Sequence, residues 1–365
     1  GGARRRVCTT GGPMLPRNDF RRLRMALMRE GVPDRAPVIE LFVDPAVQSA
    51  FLGKPIESPA DEAAFWQAAG YDYAPVFVGL LRVAEVLSGD ATLTKRSSYS
   101  VYTDDDVEMS WAAEGRGVIT TWKQFERFDW PDGDDLDLTP ITAMRRALPE
   151  SMGLIVVIGK IFTPTWMLMG FGGFADASVE HPDLIAAVFR RIGEIQFRCF
   201  ERAMQIDGVT GMWMSDDVAY TEGLLVRPEI YREHLWPWYR RMGEACRERD
   251  MPFIYHSDGD LTEVLGDIIG CGFNALHPVE PKAMDIRALK QRVGDRLCLL
   301  GNVELDRLAR GTPDEIRELV RANLQDLAHD GGYCVGSSNS VTNYVRLANY
   351  RAMLEEAGAL DGGAP

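Results

Sequence analysis

From residue 151 onward the chain alternates short apolar runs with longer amphipathic stretches, and this alternation narrows the fold more than any other feature. The runs are SMGLIVVIGK, VTGMWMSDD, MPFIYHSDGD, FNALHPVEP, LCLLGNVE and GYCVGSSNS. Between them, RPEIYREHLWPWYRRMGEACRERD, TPDEIRELVRANLQDLAH and similar stretches carry a helical period, with Pro228-Glu229 and Thr312-Pro313-Asp314-Glu315 as helix starts. Parallel strands need crossover helices, so the pattern reads as repeated βα units. APVIELFVD and YDYAPVFVG, with ADEAAFWQAAG as the helix between them, raise the strand count to eight, the number that closes a (β/α)8 TIM barrel. An open doubly wound sheet fits less well, because no strand leads into GxGxxG or GxxxxGK[ST].

Residues 80–130 break the alternation. TLTKRSSYSVYT, DVEMSWAAEG and GVITTWKQFERF alternate at period two around glycines, which predicts a β-hairpin insertion over one mouth of the barrel. A single domain is expected over residues 18–360. Residues 1–17 read as a disordered tail, with Met14 as a natural start and residues 1–13 upstream of it. A length of 365 residues and 46% hydrophobic content suffice for one large core. A net charge of −14 argues against a phosphate-backbone partner, which needs clustered Lys and Arg. No apolar run reaches the roughly 18 to 20 residues of a membrane span, and GGARRRVCTTGGPML lacks a secretory apolar core, so a cytoplasmic protein is expected. Six scattered cysteines without a CxxC pair read as reduced thiols.

Functional groups of such barrels lie at the C-terminal ends of the strands. Here those ends carry Asp44, Asp216 and Asp217, His256 and Asp258, His277 and Glu280, Asn302 and Glu304, then Ser337, Ser338 and Asn339. A single Asp or Ser at a strand end is ordinarily a helix cap, whereas six consecutive polar ends point to a site. His256 and Asp258, two apart, share a face if the strand persists that far. A His and a carboxylate on one face can ligate zinc, transfer a proton, or hydrogen-bond each other. His277, in HPVEP, can equally be a core-edge residue, and Cys334, inside the last run, a small buried hydrophobe. GFGGF lacks a following Lys-Ser/Thr and reads as a flexible lid.

The succession PDRAPV, MSDD with GLLVRPEIYREHLWPWYRRM, HSDGD, GFNALHPVEP, GDRLCLLGNVELDRLARGTPDEI and GGYCVGSSNSV with NYVRLANYRAML resembles the uroporphyrinogen decarboxylase superfamily over about residues 18–358. That resemblance implies a (β/α)8 barrel, in agreement with the strand count. The decarboxylase branch carries an RQAGR-type N-terminal segment and a GHG-type sequence after the last strand. This chain has NDFRRLRMALMREGVPDR and GSSN instead. The resemblance therefore implies the other branch, methyltransferases that pass a methyl group between a small substrate and a corrinoid (cobalamin) carried by a partner protein, often with zinc. Thiol-methylating members have HxC and a later Cys. The chain has HxD, with Cys334 slightly before the corresponding place, which implies His256, Asp258 and Cys334 as the metal set. Replacing a thiolate by a carboxylate makes a bound metal a harder Lewis acid, suited to oxygen.

The expectation is a corrinoid-dependent demethylase acting on a small O-methyl or other methylated compound. His256, Asp258 and Glu280 are its expected catalytic groups, and Asp216, Asp217, His277, Asn302, Ser337 and Asn339 its substrate-binding groups. The alternatives are tetrapyrrole decarboxylation without a metal and a non-catalytic corrinoid- or porphyrin-binding barrel. WPWYRR and TWMLMGFGGF are the candidate surfaces for a corrinoid-binding partner protein.

Overall fold

Seven of the eight predicted runs form one parallel sheet in the computed structural model, which describes residues 14–80, 93–98, 100–102, 107–112 and 117–360. In chain order the strands are β1 (Tyr73–Phe77), β2 (Leu93–Ser98), β3 (Val107–Ala112), β4 (Gly153–Val157), β5 (Gly211–Ser215), β6 (Ala219–Tyr220), β7 (Gly223–Leu224), β8 (Phe253–His256), β9 (Ala275–His277), β10 (Cys298–Val303) and β11 (Tyr333–Ser337). The large sheet runs β1-β4-β5-β8-β9-β10-β11 with every described pair parallel. Helices cover its outer face, which is why β4, β5 and β11 are buried at every position and read as continuous apolar runs. Inside the curl, Trp213 of β5 stands between Tyr73 of β1 and His277 of β9, with ring centroids 6.5 and 5.0 Å away.

The eighth run, residues 36–44, occupies the closing position without becoming a ladder strand. It meets β11 and the loop after it through two isolated parallel bridges, Val38 with Val335 and Val43 with Val341. Pro37 has no N–H to extend the pairing. Towards β1 the link is a side chain: the Tyr73 hydroxyl donates to the Glu40 carbonyl (2.5 Å) and accepts from the Glu40 N–H (3.0 Å).

The insertion contains an antiparallel hairpin, β2 with β3, paired from Leu93 with Ala112 to Ser98 with Val107. Just after β2, the Val101 N–H donates to the Asn343 carbonyl (3.0 Å) and the Tyr102 hydroxyl to that of Val345 (2.5 Å). These contacts tie the insertion to the loop beyond β11, at the C-terminal mouth. Residues 81–92, 99, 103–106 and 113–116 of the predicted insertion lie outside the described residues. The third predicted arm, GVITTWKQFERF, is not a hairpin: Thr121 accepts from the Gln124 N–H and caps a helix, Trp122–Arg127.

Two other expectations change. GFGGF is not a lid loop but the first turn of helix Phe171–Glu180, separated from helix Phe162–Met169 by Gly170 at φ +71°. Phe174 anchors it against Phe162 and Phe189, with centroids 5.9 and 6.2 Å apart. The stretch around WPWYRR is a broken helix, with π-helical Tyr231–Leu235 preceding Trp236–Glu248. Pro237 cannot donate to the preceding turn, which favours the wider winding. Trp236 and Tyr239 are buried, whereas Pro237, Arg240 and Arg241 of the same segment are exposed. Leu15 and Arg17 of the expected tail are hydrogen-bonded, to Asp34 and the Ala68 carbonyl, whereas residues 1–13 lie outside the described residues.

Candidate active site

The turn His256-Ser257-Asp258-Gly259-Asp260 is built by register and by backbone contact. Parallel pairing sets His256 level with Ser215 of β5 on one side and His277 of β9 on the other. Beyond β8, the Ser257 N–H donates to the His277 carbonyl (3.0 Å), and the Ser257 hydroxyl oxygen accepts from the Val218 N–H (3.0 Å). Gly259 sits at φ +87°, and a Cβ there would lie 2.4 Å from the Tyr220 carbonyl oxygen, so a side chain has neither conformation nor room. Its N–H donates to Glu280 Oε2 (2.8 Å), and the Asp260 N–H to the Tyr220 carbonyl (3.0 Å). The turn is thereby held from three sides, and Asp258 is aimed rather than merely capping.

Three potential ligands converge there. His256 Nε2 lies 3.5 Å from Asp217 Oδ1 and 3.7 Å from Asp258 Oδ1, and the donor atoms of the three residues all fall within 4.8 Å of one another. The Asp258 N–H donates to Asp217 Oδ1 (3.1 Å), and the Asn339 side-chain amide donates to both Asp258 oxygens (3.0 and 2.9 Å). Burial lowers the His256 pKa to about 4 against the attraction of Asp217, while the Lys160 charge lowers it further. The imidazole is therefore neutral at pH 7, and its contacts with Asp217 and Asp258 are not ion pairs. Asp258 is pushed well above the usual carboxylate range by burial and by the charges of Asp217 and Glu280, against the Asn339 hydrogen bonds. A neutral imidazole beside two carboxyl groups is a donor set of the kind that holds a divalent cation. Bonds of about 2.0 to 2.1 Å to a tetrahedral ion put neighbouring ligand atoms roughly 3.3 Å apart, close to both His256 distances. The two His256 distances are compatible with shared ligation of one divalent ion by these three residues.

The other predicted residues divide between the cleft and the scaffold. Glu280 and Asn339 line a cleft of about 810 Å³ together with Lys282, Arg310, Tyr344 and Arg346. Asp216 does not reach it: buried, it accepts from the N–H groups of Ile161, Phe162 and Thr163 (2.7 to 2.8 Å) and from the Tyr239 hydroxyl (2.5 Å), so it anchors the start of helix Phe162–Met169. His277 is fully buried behind His256, their Nδ1 atoms 2.8 Å apart, and is closed to substrate. Asn302, in left-handed conformation at φ +77°, donates from its amide to the Val279 carbonyl (2.7 Å) and fixes the end of β9. Ser337 is buried, and its N–H and hydroxyl each lie 2.6 Å from an oxygen of Glu40. Cys334 is not a ligand of the cluster: it lies three residues below the end of β11, about 10 Å down the strand at 3.3 Å per residue, with its thiol 3.9 Å from that of Cys298. Asp217, expected to orient substrate, takes its place.

Glu40 was not among the expected residues. Burial raises its pKa to about 8 against the two Ser337 hydrogen bonds, so it is largely protonated at neutral pH. A carboxylate interrupting the apolar VIELFV run was its signal in the chain.

The uroporphyrinogen decarboxylase (URO-D) family model matches residues 115–360. No curated protein matches the chain. Among solved structures, a methyltransferase from Methanosarcina mazei superposes with a TM-score of 0.67 at 18% identity, over 92% of this chain and 97% of that one. At that identity the likeness is one of fold. Among the described residues, no helix is long and apolar enough to cross a membrane.

Proposed function

The chain belongs to the uroporphyrinogen decarboxylase family, and from that premise we propose that it is a corrinoid-dependent methyltransferase that removes the methyl group of a small O-methyl compound. The observation that carries this reading is the Asp217, His256 and Asp258 cluster at the barrel mouth, a donor set of one nitrogen and two carboxylates without a thiolate. Thiolate ligands suit activation of thiols, whereas nitrogen and oxygen donors leave a harder acid. A divalent ion held by these residues, zinc being the expected one, supplies a Lewis acid for an ether oxygen as negative charge develops on it. The methyl acceptor is a corrinoid carried on a partner protein, which must approach an open mouth because the packed barrel cannot enclose it.

The chain's own groups supply binding and orientation. A cleft of about 810 Å³ falls within the size range of small-molecule sites and adjoins the cluster through Asn339 and Glu280. Asn339 holds both Asp258 oxygens and so fixes that carboxylate's plane. Glu280 has Oε2 committed to the Gly259 N–H, which leaves Oε1 to take or give a proton at the leaving oxygen.

The test combines metal analysis of protein purified without chelator with methyl transfer to carrier-bound, reduced cobalamin from a panel of methoxylated aromatics. The expected result is about one divalent ion per chain and transfer from at least one donor, both abolished by His256→Ala. No transfer from any donor, together with turnover of a porphyrinogen under anaerobic conditions, would make the protein a tetrapyrrole decarboxylase instead.

A further inference from the structure

The site contains a second histidine that neither substrate nor ion can touch. His277 is fully buried, its Nδ1 lies 2.8 Å from Nδ1 of His256, and its Nε2 has no hydrogen-bond partner among the described residues. The juxtaposition is a product of register, since the two residues are partners across β8 and β9 and their rings lie nearly parallel at 29°. Beyond His277 stands the Trp213 ring, perpendicular at 85°.

A hydrogen bond between two Nδ1 atoms requires one to carry a proton and the other to be bare. With both rings neutral, only two arrangements exist. In one, His277 donates from Nδ1, and His256 carries its proton on Nε2, facing Asp217 and Asp258. In the other, His256 donates from Nδ1, and its bare Nε2 faces the carboxylates. Without a cation the first arrangement prevails, because an N–H directed at carboxylates is attractive and a lone pair so directed is repulsive. Nε2 can ligate a cation only in the second.

We propose that His277 is a positioning residue that sets the tautomer of His256: when a divalent cation enters the cluster, His277 Nδ1 accepts the His256 Nδ1–H and so holds the bare Nε2 against the ion. The proposal rests on the reading of Asp217, His256 and Asp258 as a metal site. On loading, the His277 Nδ1 proton passes along the 2.8 Å bond to His256 Nδ1, the His256 Nε2 proton leaves to water at the mouth, and His277 takes one proton from water at Nε2. Neither ring gains or loses a proton on balance. The partner of the ligand is another imidazole instead of the commoner carboxylate or carbonyl, and unlike those it can act as donor in one state and acceptor in the other.

Full-length protein labelled with 15N in its histidines tests this through long-range imidazole proton–nitrogen spectra, recorded before and after addition of zinc, with zinc uptake followed by competition with a chromophoric chelator. The expected result is Nδ1–H on His277 and Nε2–H on His256 in metal-free protein, and the reverse in both rings once zinc is bound. Zinc uptake with His277 still Nδ1-protonated overturns the relay alone, as does metal-free protein already in the reversed arrangement. Failure to take up zinc overturns the metal reading and the relay with it. For the variants, His277→Gln, whose amide oxygen accepts the same bond, should keep zinc affinity within about threefold, while His277→Phe should lose about 10- to 100-fold with an unchanged far-ultraviolet spectrum. Equal affinities in the two variants would also overturn it.

Discussion

Replacing Glu40 by Gln should stabilise the protein at alkaline pH and leave it nearly unchanged in acid. Glu40 is fully buried, and its pKa stands at about 8 against an ordinary value of 4.5. The folded chain therefore holds this proton more tightly than the unfolded chain. Its contribution to stability is fully present below about pH 4.5 and is lost as the pH rises through about 8. At about 1.4 kcal/mol per unit, the difference of 8 minus 4.5 gives a ceiling of about 5 kcal/mol. Gln reproduces the protonated form, its oxygen accepting from the Ser337 N–H and its amide donating to the Ser337 hydroxyl. Urea unfolding of both proteins at pH 5, 7 and 9 isolates the effect, because the other titrating groups are common to the two. The variant should gain progressively, with a higher urea midpoint by pH 9. Parallel stability curves across that range would refute the protonation assigned to Glu40.

Three further outcomes follow from the site. Cys334→Ala should leave metal content and methyl transfer unchanged, measured by elemental analysis and the cobalamin assay, because the thiol faces Cys298. Gly259→Ala should cost more than about 1 kcal/mol in urea unfolding and weaken metal binding, since the added Cβ meets the Tyr220 backbone and φ is +87°. Asp216→Ala should destabilise by about 2 to 4 kcal/mol by leaving the buried N–H groups of Ile161 and Phe162 and the half-buried one of Thr163 without an acceptor, whereas a substrate-binding role would raise KM with stability intact.

The barrel was legible because apolar runs and amphipathic stretches alternate, and a parallel sheet buried on both faces imposes that pattern. What the pattern could not convey was which backbone groups pair. Residues 36–44 look like any other strand, yet Pro37 and the link from Glu40 to Tyr73 leave only two bridges. In GVITTWKQFERF the capping residue Thr121 outweighs the period-two alternation. GFGGF has the glycine content of a loop, but Phe174 packs it as a helix.

In the site, HxD placed His256 and Asp258 together, while the third member of the cluster depends on distances between strands. Cys334 and Asp217 are both possible ligands on runs of the chain's repeat, β11 and β5, and spacing alone does not separate them. Depth along the strand does. Asp217 lies just past the end of β5, level with the turn after β8, whereas Cys334 lies below the mouth. Register also distinguishes the two histidines, which the chain presents in equivalent places at consecutive strand ends. His256 is followed by a turn that carries Asp258 towards it, and His277 ends one ring deeper, against Trp213. The outer ring thus meets the carboxylates, and the inner one meets the outer ring and Trp213. In the proposed reading, two equivalent-looking histidines become one ligand and one partner that sets its proton, and exchanging their roles would require a shift of the β8–β9 pairing that breaks the bonds from Ser257 to His277 and from Gly259 to Glu280.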